Sequence, residues 1–142
     1  MKSYFSSSLL IVCAFFFLNK ISAHSVSSGL ILENPPRWEK LGQRRVNFGL
    51  DRDEILVTAR EGTFTALRLH AELAPMNFHR CVVHFANGST QTFQISETVR
   101  AGQTTRLLDL AGNNRIITKV VFWYDTKNRA NRRGRVELWG RH

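Results

Sequence analysis

The chain has 142 residues, of which 43% are hydrophobic and 22% charged, and it contains nine glycines, three prolines and two cysteines. This length and composition allow one packed domain, and they exclude a disordered chain and a protein with several membrane spans. Lys and Arg outnumber Asp and Glu by 20 to 11, so acidic partners are favoured over basic ones.

Residues 1–23 are predicted to be a signal peptide. Lys2 gives a positive start, an apolar run covers residues 9–18, and small residues follow at 22–23. The apolar region of a signal peptide has about 7–15 residues, whereas a spanning helix needs roughly 20. We expect cleavage after Ala23 and a periplasmic or secreted product. The alternative is an uncleaved membrane anchor.

The mature chain would begin at His24 and stay strongly basic. Loss of Lys2 and Lys20 lowers the formal charge from +9 to +7, and fifteen of the remaining 18 cations are arginine. Arginine binds carboxylates and phosphates through two parallel hydrogen bonds. The expected partners are therefore anionic polysaccharide, lipid headgroups or an envelope protein, and nucleic acid is a partner that we do not favour.

Two regions are predicted in the mature chain: an irregular arm over residues 24–37 and a β-domain over residues 38–142. Short segments rich in β-branched and aromatic residues alternate with turn signals, which favours an all-β, antiparallel two-sheet β-sandwich of about eight strands, either jelly-roll or immunoglobulin-like. Asn87-Gly88 predicts a hairpin with a type I′ turn. The predicted strands are Leu41–Phe48, Glu54–Thr58, Phe64–Leu73, Phe78–Phe85, Thr90–Ser96, Thr104–Leu110, Ile116–Asp125 and Arg135–Trp139.

Alternation within these segments predicts which side chains form the core. Cys81 is the one cysteine of the mature chain, so no disulfide can form within it, and the thiol is expected to be buried beside Val83 and Phe85. The other predicted core residues are Leu67, Leu69, Ala71, Leu73, Phe93, Ile95, Leu108, Leu110, Val120, Phe122, Tyr124, Val136 and Leu138.

Short motifs follow one another from Trp38 to the end of the chain. They include Trp38-Glu39-Lys40-Leu41-Gly42, Asp51-Arg52-Asp53-x-Ile55, Ala101-Gly102-Gln103-Thr104-Thr105-Arg106, Asp109-Leu110-x-Gly112 and Val136-x-Leu138-x-Gly140. In this arrangement the chain resembles a family of small exported bacterial proteins that is catalogued only as a domain of unknown function. The resemblance implies an exported bacterial β-protein, and it supplies no catalytic residues.

The chain shows no catalytic constellation. The sequence contains no Gly-x-Ser-x-Gly motif. It also contains no pair of carboxylates whose surroundings would push their two pKa values apart, as acid–base catalysis requires. We therefore expect a protein that is not an enzyme and has no cofactor. Asp51 and Asp53 could contribute to a Ca²⁺ site, but calcium takes six to eight oxygens, so we favour a turn at the start of a strand.

A copper site is a further alternative. The amine and imidazole of His24 could chelate copper together with His70, His79 or His84, of which His70 and His84 are predicted to face outward on neighbouring strands. We favour the simpler interpretation, in which these are unrelated surface histidines.

The last two strands are predicted to form a basic hairpin. Trp123 and Trp139 alternate with core residues, so both should face outward. Aromatic faces beside guanidinium groups suit anionic or carbohydrate ligands. We predict a non-catalytic module that binds an envelope or host component here. The alternatives are a structural or protein-interaction domain, tryptophans covered by the arm, or a loop that is merely solvated. The loop cations are Lys127, Arg129, Arg132, Arg133 and Arg135.

Export is tested by sequencing the N-terminus of material recovered outside the cytoplasm. We expect it to begin at His24, because the charged start, the short apolar run and the small residues together define a cleavage site after Ala23. A different first residue would contradict the site, and retention in the cytoplasm would contradict export itself.

Overall fold

The computed structural model describes residues 34–46, 49–126 and 133–142. These form nine β-strands and one 3₁₀ turn, and residues 34–37 are exposed without regular structure. Within the described residues, no helix has the length and apolar character needed to cross a membrane. The predicted signal peptide and most of the predicted arm lie outside them. The strands are β1 (Trp38–Val46), β2 (Asp51–Leu56), β3 (Ala66–Glu72), β4 (Met76–Phe85), β5 (Thr90–Val99), β6 (Gln103–Thr104), β7 (Leu108–Asp109), β8 (Ile117–Asp125) and β9 (Gly134–Arg141), with the 3₁₀ turn at Ala59–Glu61.

The strands form two antiparallel sheets packed face to face, which confirms the predicted two-sheet β-sandwich. One sheet has five strands in the order β1-β9-β3-β6, with β7 also paired to β3. The other sheet has four strands in the order β2-β8-β4-β5. The predicted strand Thr104–Leu110 is divided into β6 and β7, because Thr104 pairs with His70 and Leu108 pairs with Leu67 at separate places along β3.

The core between the sheets follows the predicted alternation. Leu69, Cys81, Phe122 and Leu138 are fully buried, as expected when one face of every strand packs on the opposite sheet. Leu73 is an exception, because it is 58% exposed and has a φ of 67°. The chain turns away from the sheet directly after β3, and the left-handed backbone at this position interrupts the alternation.

The hairpin between β4 and β5 is confirmed, but its predicted turn type is wrong. Gly88 has a φ of 83°, whereas Asn87 does not have a positive φ, so a type I′ turn is excluded. The Gly88 N–H donates to the Phe85 carbonyl at 3.0 Å, and the Phe85 N–H donates to the Ser89 carbonyl at 2.9 Å. This is a three-residue loop that ends in a left-handed glycine bulge, the next commonest hairpin connection.

The predicted hairpin between the last two strands is also wrong. β8 pairs with β2 and β4 in one sheet, and β9 pairs with β1 and β3 in the other. Each is thus a central strand with two neighbours, and neither has a free edge with which to pair with the other. Trp123 and Trp139 therefore lie on the outer faces of different sheets.

Cys81 is expected to be unreactive in the folded mature protein. Its side chain is inaccessible, and burial raises the pKa of the Cys81 thiol to about 12, so the reactive thiolate is scarce at pH 8. A disulfide reagent should label this single thiol only as fast as the protein unfolds, and urea should accelerate labelling. Stoichiometric labelling within minutes in native buffer would contradict this.

Candidate functional site

The outer face of the five-stranded sheet carries a pocket of about 260 Å³. Its walls are the indole rings of Trp38 and Trp139, and its polar lining consists of Arg68, His70 and Thr104. β-Pairing brings these residues together: Trp139 lies opposite Arg68, and His70 lies opposite Thr104. We call this site the Trp38–Trp139 pocket.

A buried carboxylate, Glu137, lies beside this pocket. It is 4% exposed, although it is on the outer face of β9, because neighbouring side chains cover it. Its oxygens accept hydrogen bonds from Lys40 Nζ, from His70 Nδ1 at 3.2 Å and from Trp139 Nε1 at 3.0 Å. Burial alone would raise the pKa of Glu137, but these donors outweigh it and hold that pKa below its ordinary value. The carboxylate is therefore ionised at neutral pH.

Glu72 is the second carboxylate on this face, and Arg135 neutralises it. Arg135 Nε donates to Glu72 Oε2 at 2.5 Å, and a second guanidinium nitrogen donates to the same oxygen. Ligand atoms of His70, Glu72 and Glu137 lie within 4.8 Å of one another, a spacing that could hold a metal ion. However, Lys40 and Arg135 already pair with the two carboxylates, so a divalent cation would have to displace both.

Arg68 is the cation of the Trp38–Trp139 pocket. Its guanidinium carbon lies 4.2 Å from the centre of the Trp38 ring, and the side chain is half-buried. Among the described residues it forms no ion pair and no side-chain hydrogen bond. A cation–π contact with the indole favours this position of the guanidinium group, and its N–H groups have no other partner among the described residues, so they remain available to a ligand.

Further cations lie at the opposite end of this face. Arg45 and Arg135 are paired across β1 and β9, and they line a smaller pocket of about 160 Å³ together with Arg133. We call these three residues the arginine strip. Arg45 and Arg133 are exposed, and neither forms an ion pair with another described residue. The predicted loop contacts Lys127, Arg129 and Arg132 lie outside the described residues.

Trp123 lies on the other sheet and in different surroundings. The Arg80 guanidinium carbon lies 3.9 Å from the centre of its ring, and that of Arg52 lies 5.6 Å away. These two arginines flank Trp123 on β4 and β2. The predicted joint surface of Trp123 with Trp139 is therefore wrong, and of these two tryptophans only Trp139 lies on the same sheet as the arginine strip.

The histidines predicted as copper ligands are not brought together. His70 is on β3 of the five-stranded sheet, and His84 is on β4 of the other sheet, so the expectation that they occupy neighbouring strands is wrong. His70 also uses Nδ1 for Glu137. His24 lies outside the described residues.

The carboxylates of Asp51 and Asp53 lie close together, as a Ca²⁺ site would require, but both of them lie beside a buried hydroxyl group. The Tyr124 hydroxyl donates to Asp53 Oδ2 at 2.8 Å and lies 3.4 Å from Asp51 Oδ2. Burial, together with the hydrogen bond to Asp53, raises the pKa of the Tyr124 hydroxyl. These carboxylates thus satisfy the hydroxyl group of a core tyrosine. The motif lies at the start of a strand, as predicted, but its residues belong to β2 itself and do not form the predicted turn.

Sequence reasoning does not identify Trp38, Arg68 and Thr104 as site residues. The pattern places Trp38 where the arm meets the β-domain, and it places Arg68 correctly on an outward face but gives it no role. The signal that could find Trp38 is an outward tryptophan two residues from a charged residue, as in Trp38-x-Lys40 and Glu137-x-Trp139; neither motif contains Arg68 or Thr104. That signal becomes specific only when the strands carrying it are known to be neighbours.

Comparison with known proteins yields one family. A family model described as Domain of unknown function (DUF2541) matches residues 9–140. No curated protein and no solved structure matches the chain.

Replacement of Glu137 by glutamine should destabilise the fold most at neutral pH. Its folded-state pKa is below the ordinary 4.5, so the charged form adds stability above about pH 4.5, and this stability is lost as the pH falls through the folded-state pKa. We expect Glu137→Gln to cost about 1.5–3 kcal/mol at pH 7, and less in acid, in urea unfolding at several pH values.

The matched control is Glu54→Gln. Glu54 is 40% exposed, and its nearest cationic atoms are 3.7 and 3.9 Å away on Lys119 and Arg52. Its loss should cost less than about 0.5 kcal/mol. Equal losses for the two variants, or a Glu137→Gln loss that grows as the pH falls, would contradict the assignment.

Proposed function

The chain belongs to the DUF2541 family, and from its surface geometry we propose that it is an exported, non-catalytic module that binds acidic polysaccharide. The binding surface in this proposal is the outer face of β1, β9 and β3. It extends from the Trp38–Trp139 pocket to the arginine strip.

One observation carries the proposal: an open aromatic pocket and uncompensated cations share a single face. Arg68, Arg45 and Arg133 have no carboxylate partner among the described residues, whereas Lys40 and Arg135 are neutralised. Indole rings can stack on the apolar face of a sugar ring, and guanidinium groups can bind its acidic substituents. A linear acidic polymer can use both features at once.

The chemistry of the face supports binding rather than catalysis. Glu137 is held ionised by three donors, and Lys40 is committed to it as an ion pair. Proton transfer at neutral pH needs a group whose pKa lies near 7, and the lowered pKa of Glu137 moves it away from that range. What these paired groups do provide is a fixed position for Trp139 and His70.

The proposal keeps Lys127, Arg129 and Arg132 as additional contacts on the sequence argument alone. They precede Arg133 in the chain, and Arg133 itself belongs to the arginine strip. The envelope or the host surface is the expected place of binding, because the N-terminal segment predicts export.

The test is binding of the mature chain to polygalacturonate, dextran sulfate, neutral dextran and anionic phospholipid vesicles. Binding to polygalacturonate should weaken between about 50 and 200 mM salt, because counterions are released. Arg45→Ser/Arg133→Ser should weaken it and flatten its salt dependence. Trp139→Ala should weaken it roughly fivefold or more, the threshold at which an interface residue matters.

The control variants replace the same residue types at sites outside the proposed binding surface. Arg60→Ser/Arg100→Ser removes the same charge from exposed sites outside the three strands, and Trp123→Ala removes a tryptophan from the other sheet. Both should bind polygalacturonate as the wild type does, with folding checked by thermal unfolding. Binding only to vesicles, binding to no polymer, or equal losses in the control variants would overturn the proposal.

A further inference from the structure

We propose that the Trp38–Trp139 pocket takes one sugar residue that carries a carboxylate, a uronic acid, and that Arg68 binds this carboxylate. The inference rests on the proposed function and names the chemical class of its ligand. It distinguishes the pocket from the arginine strip, which would attract any polyanion.

The size of the pocket limits what it can hold. At about 260 Å³ it is smaller than the roughly 300–1,000 Å³ of sites for drug-sized ligands, so it suits one ring rather than several. Trp139 offers a flat wall for that ring, because no described guanidinium lies over it, in contrast to Trp38 and Trp123. The hydrogen bond from Trp139 Nε1 to Glu137 fixes the orientation of this wall.

Arg68 favours a planar anion. Its guanidinium carbon lies over the Trp38 ring, 4.2 Å from the ring centre, so the N–H groups that point away from the indole are the ones that can meet a ligand. A guanidinium edge and a carboxylate form two parallel hydrogen bonds in one plane. A sulfate or phosphate group can form the same two bonds, but it has a further charged oxygen outside this plane, and the described residues that line the pocket include no second arginine or lysine for that oxygen.

The charge balance around the pocket favours a single negative charge. Lys40 offsets Glu137, and Arg135 offsets Glu72, which leaves Arg68 as the one uncompensated cation among the residues that line the pocket. A ligand group with two negative charges would be left with one unpaired charge close to the buried carboxylate of Glu137. A carboxylate, which carries one negative charge, would neutralise Arg68 without adding excess charge.

Two further groups suit the hydroxyls of a sugar. Because the ionised Glu137 can only accept, His70 donates to it from Nδ1, which leaves Nε2 as the ring nitrogen that can meet a ligand. Thr104 is exposed, and its hydroxyl can both donate and accept. Together with Arg68, these residues place a cationic donor, an imidazole nitrogen and a hydroxyl group around the ring, and a simple inorganic anion would not need such a varied set.

The experiment measures binding of the mature chain to trimers of galacturonate, glucuronate and mannuronate, with their methyl esters as neutral controls of the same shape. Quenching of tryptophan fluorescence gives the affinities, and sulfated maltotriose provides the alternative anion. We expect at least one acid to bind about 10- to 100-fold more tightly than its ester, the effect of a hydrogen bond to a charged group. Sulfated maltotriose should bind more weakly than that acid.

Variants of Arg68 test whether this residue causes the preference for the acid over the ester. Arg68→Ser should bind the acid and its ester equally, and Arg68→Lys should recover only part of the preference, because lysine keeps the charge without the planar edge. Thermal unfolding checks that each variant is folded. The control Arg60→Ser/Arg100→Ser, which removes two exposed charges outside the binding face, should leave the preference for the acid over the ester unchanged.

The outcomes separate the two proposals. If polygalacturonate binds the wild type but trimers show no preference for acid over ester, or Arg68→Ser retains the preference, the inference about the pocket is wrong and the proposed function stands. The inference about the pocket is also wrong if sulfated maltotriose binds as tightly as the best uronate. If the wild type binds no acidic polymer, the proposed function fails and the inference fails with it.

Discussion

The arrangement of the outer face depends on a carboxylate that is ionised and almost inaccessible. Burying a charge without partners costs several kcal/mol. Glu137 therefore requires hydrogen-bond donors from the protein in place of the water molecules that would otherwise surround it. It obtains them from three strands: Lys40 on β1, His70 on β3 and Trp139 on its own strand β9. The hydrogen bonds that stabilise the charge of Glu137 also fix the positions of the Trp139 indole and the His70 imidazole. The same contacts therefore stabilise this face and shape its pocket.

The sequence pattern predicted the fold class, and its failures have a common origin. Alternation with period two shows which side chains point toward a core, and Cys81, Phe122 and Leu138 are buried as predicted. It contains no information on which sheet a strand joins, because strands on opposite sides of a sandwich direct apolar residues into the same core. Two consecutive strands such as β8 and β9 therefore look like a hairpin in sequence, although the chain crosses between the sheets.

The candidate pocket was harder to predict than the core for the same reason. Trp38, Arg68 and Trp139 come from strands that are far apart in the chain, and only the order β1-β9-β3 makes them neighbours. Alternation predicted that Arg68 and Trp139 face outward, but it did not cover Trp38, which precedes the first predicted strand, and it did not identify any cross-strand partner. The basic character of the chain was visible from composition, yet the distinction between neutralised and uncompensated arginines needed the ion pairs themselves.

The contrast between Trp123 and Trp139 shows how one residue type acquires two roles. Arginines flank Trp123 on both neighbouring strands and stack against it, so its surface is already used within the fold. Trp139 lies between Arg68 and Lys40, but Lys40 pairs with the buried carboxylate and Arg68 lies over Trp38. Among the described residues, no cationic group therefore lies over the Trp139 ring. A polymer with one residue in that pocket would bring its next charges to the arginine strip as an intramolecular contact, at a raised effective concentration. Weak individual contacts can then give useful affinity for a repeated ligand while remaining weak for its single units.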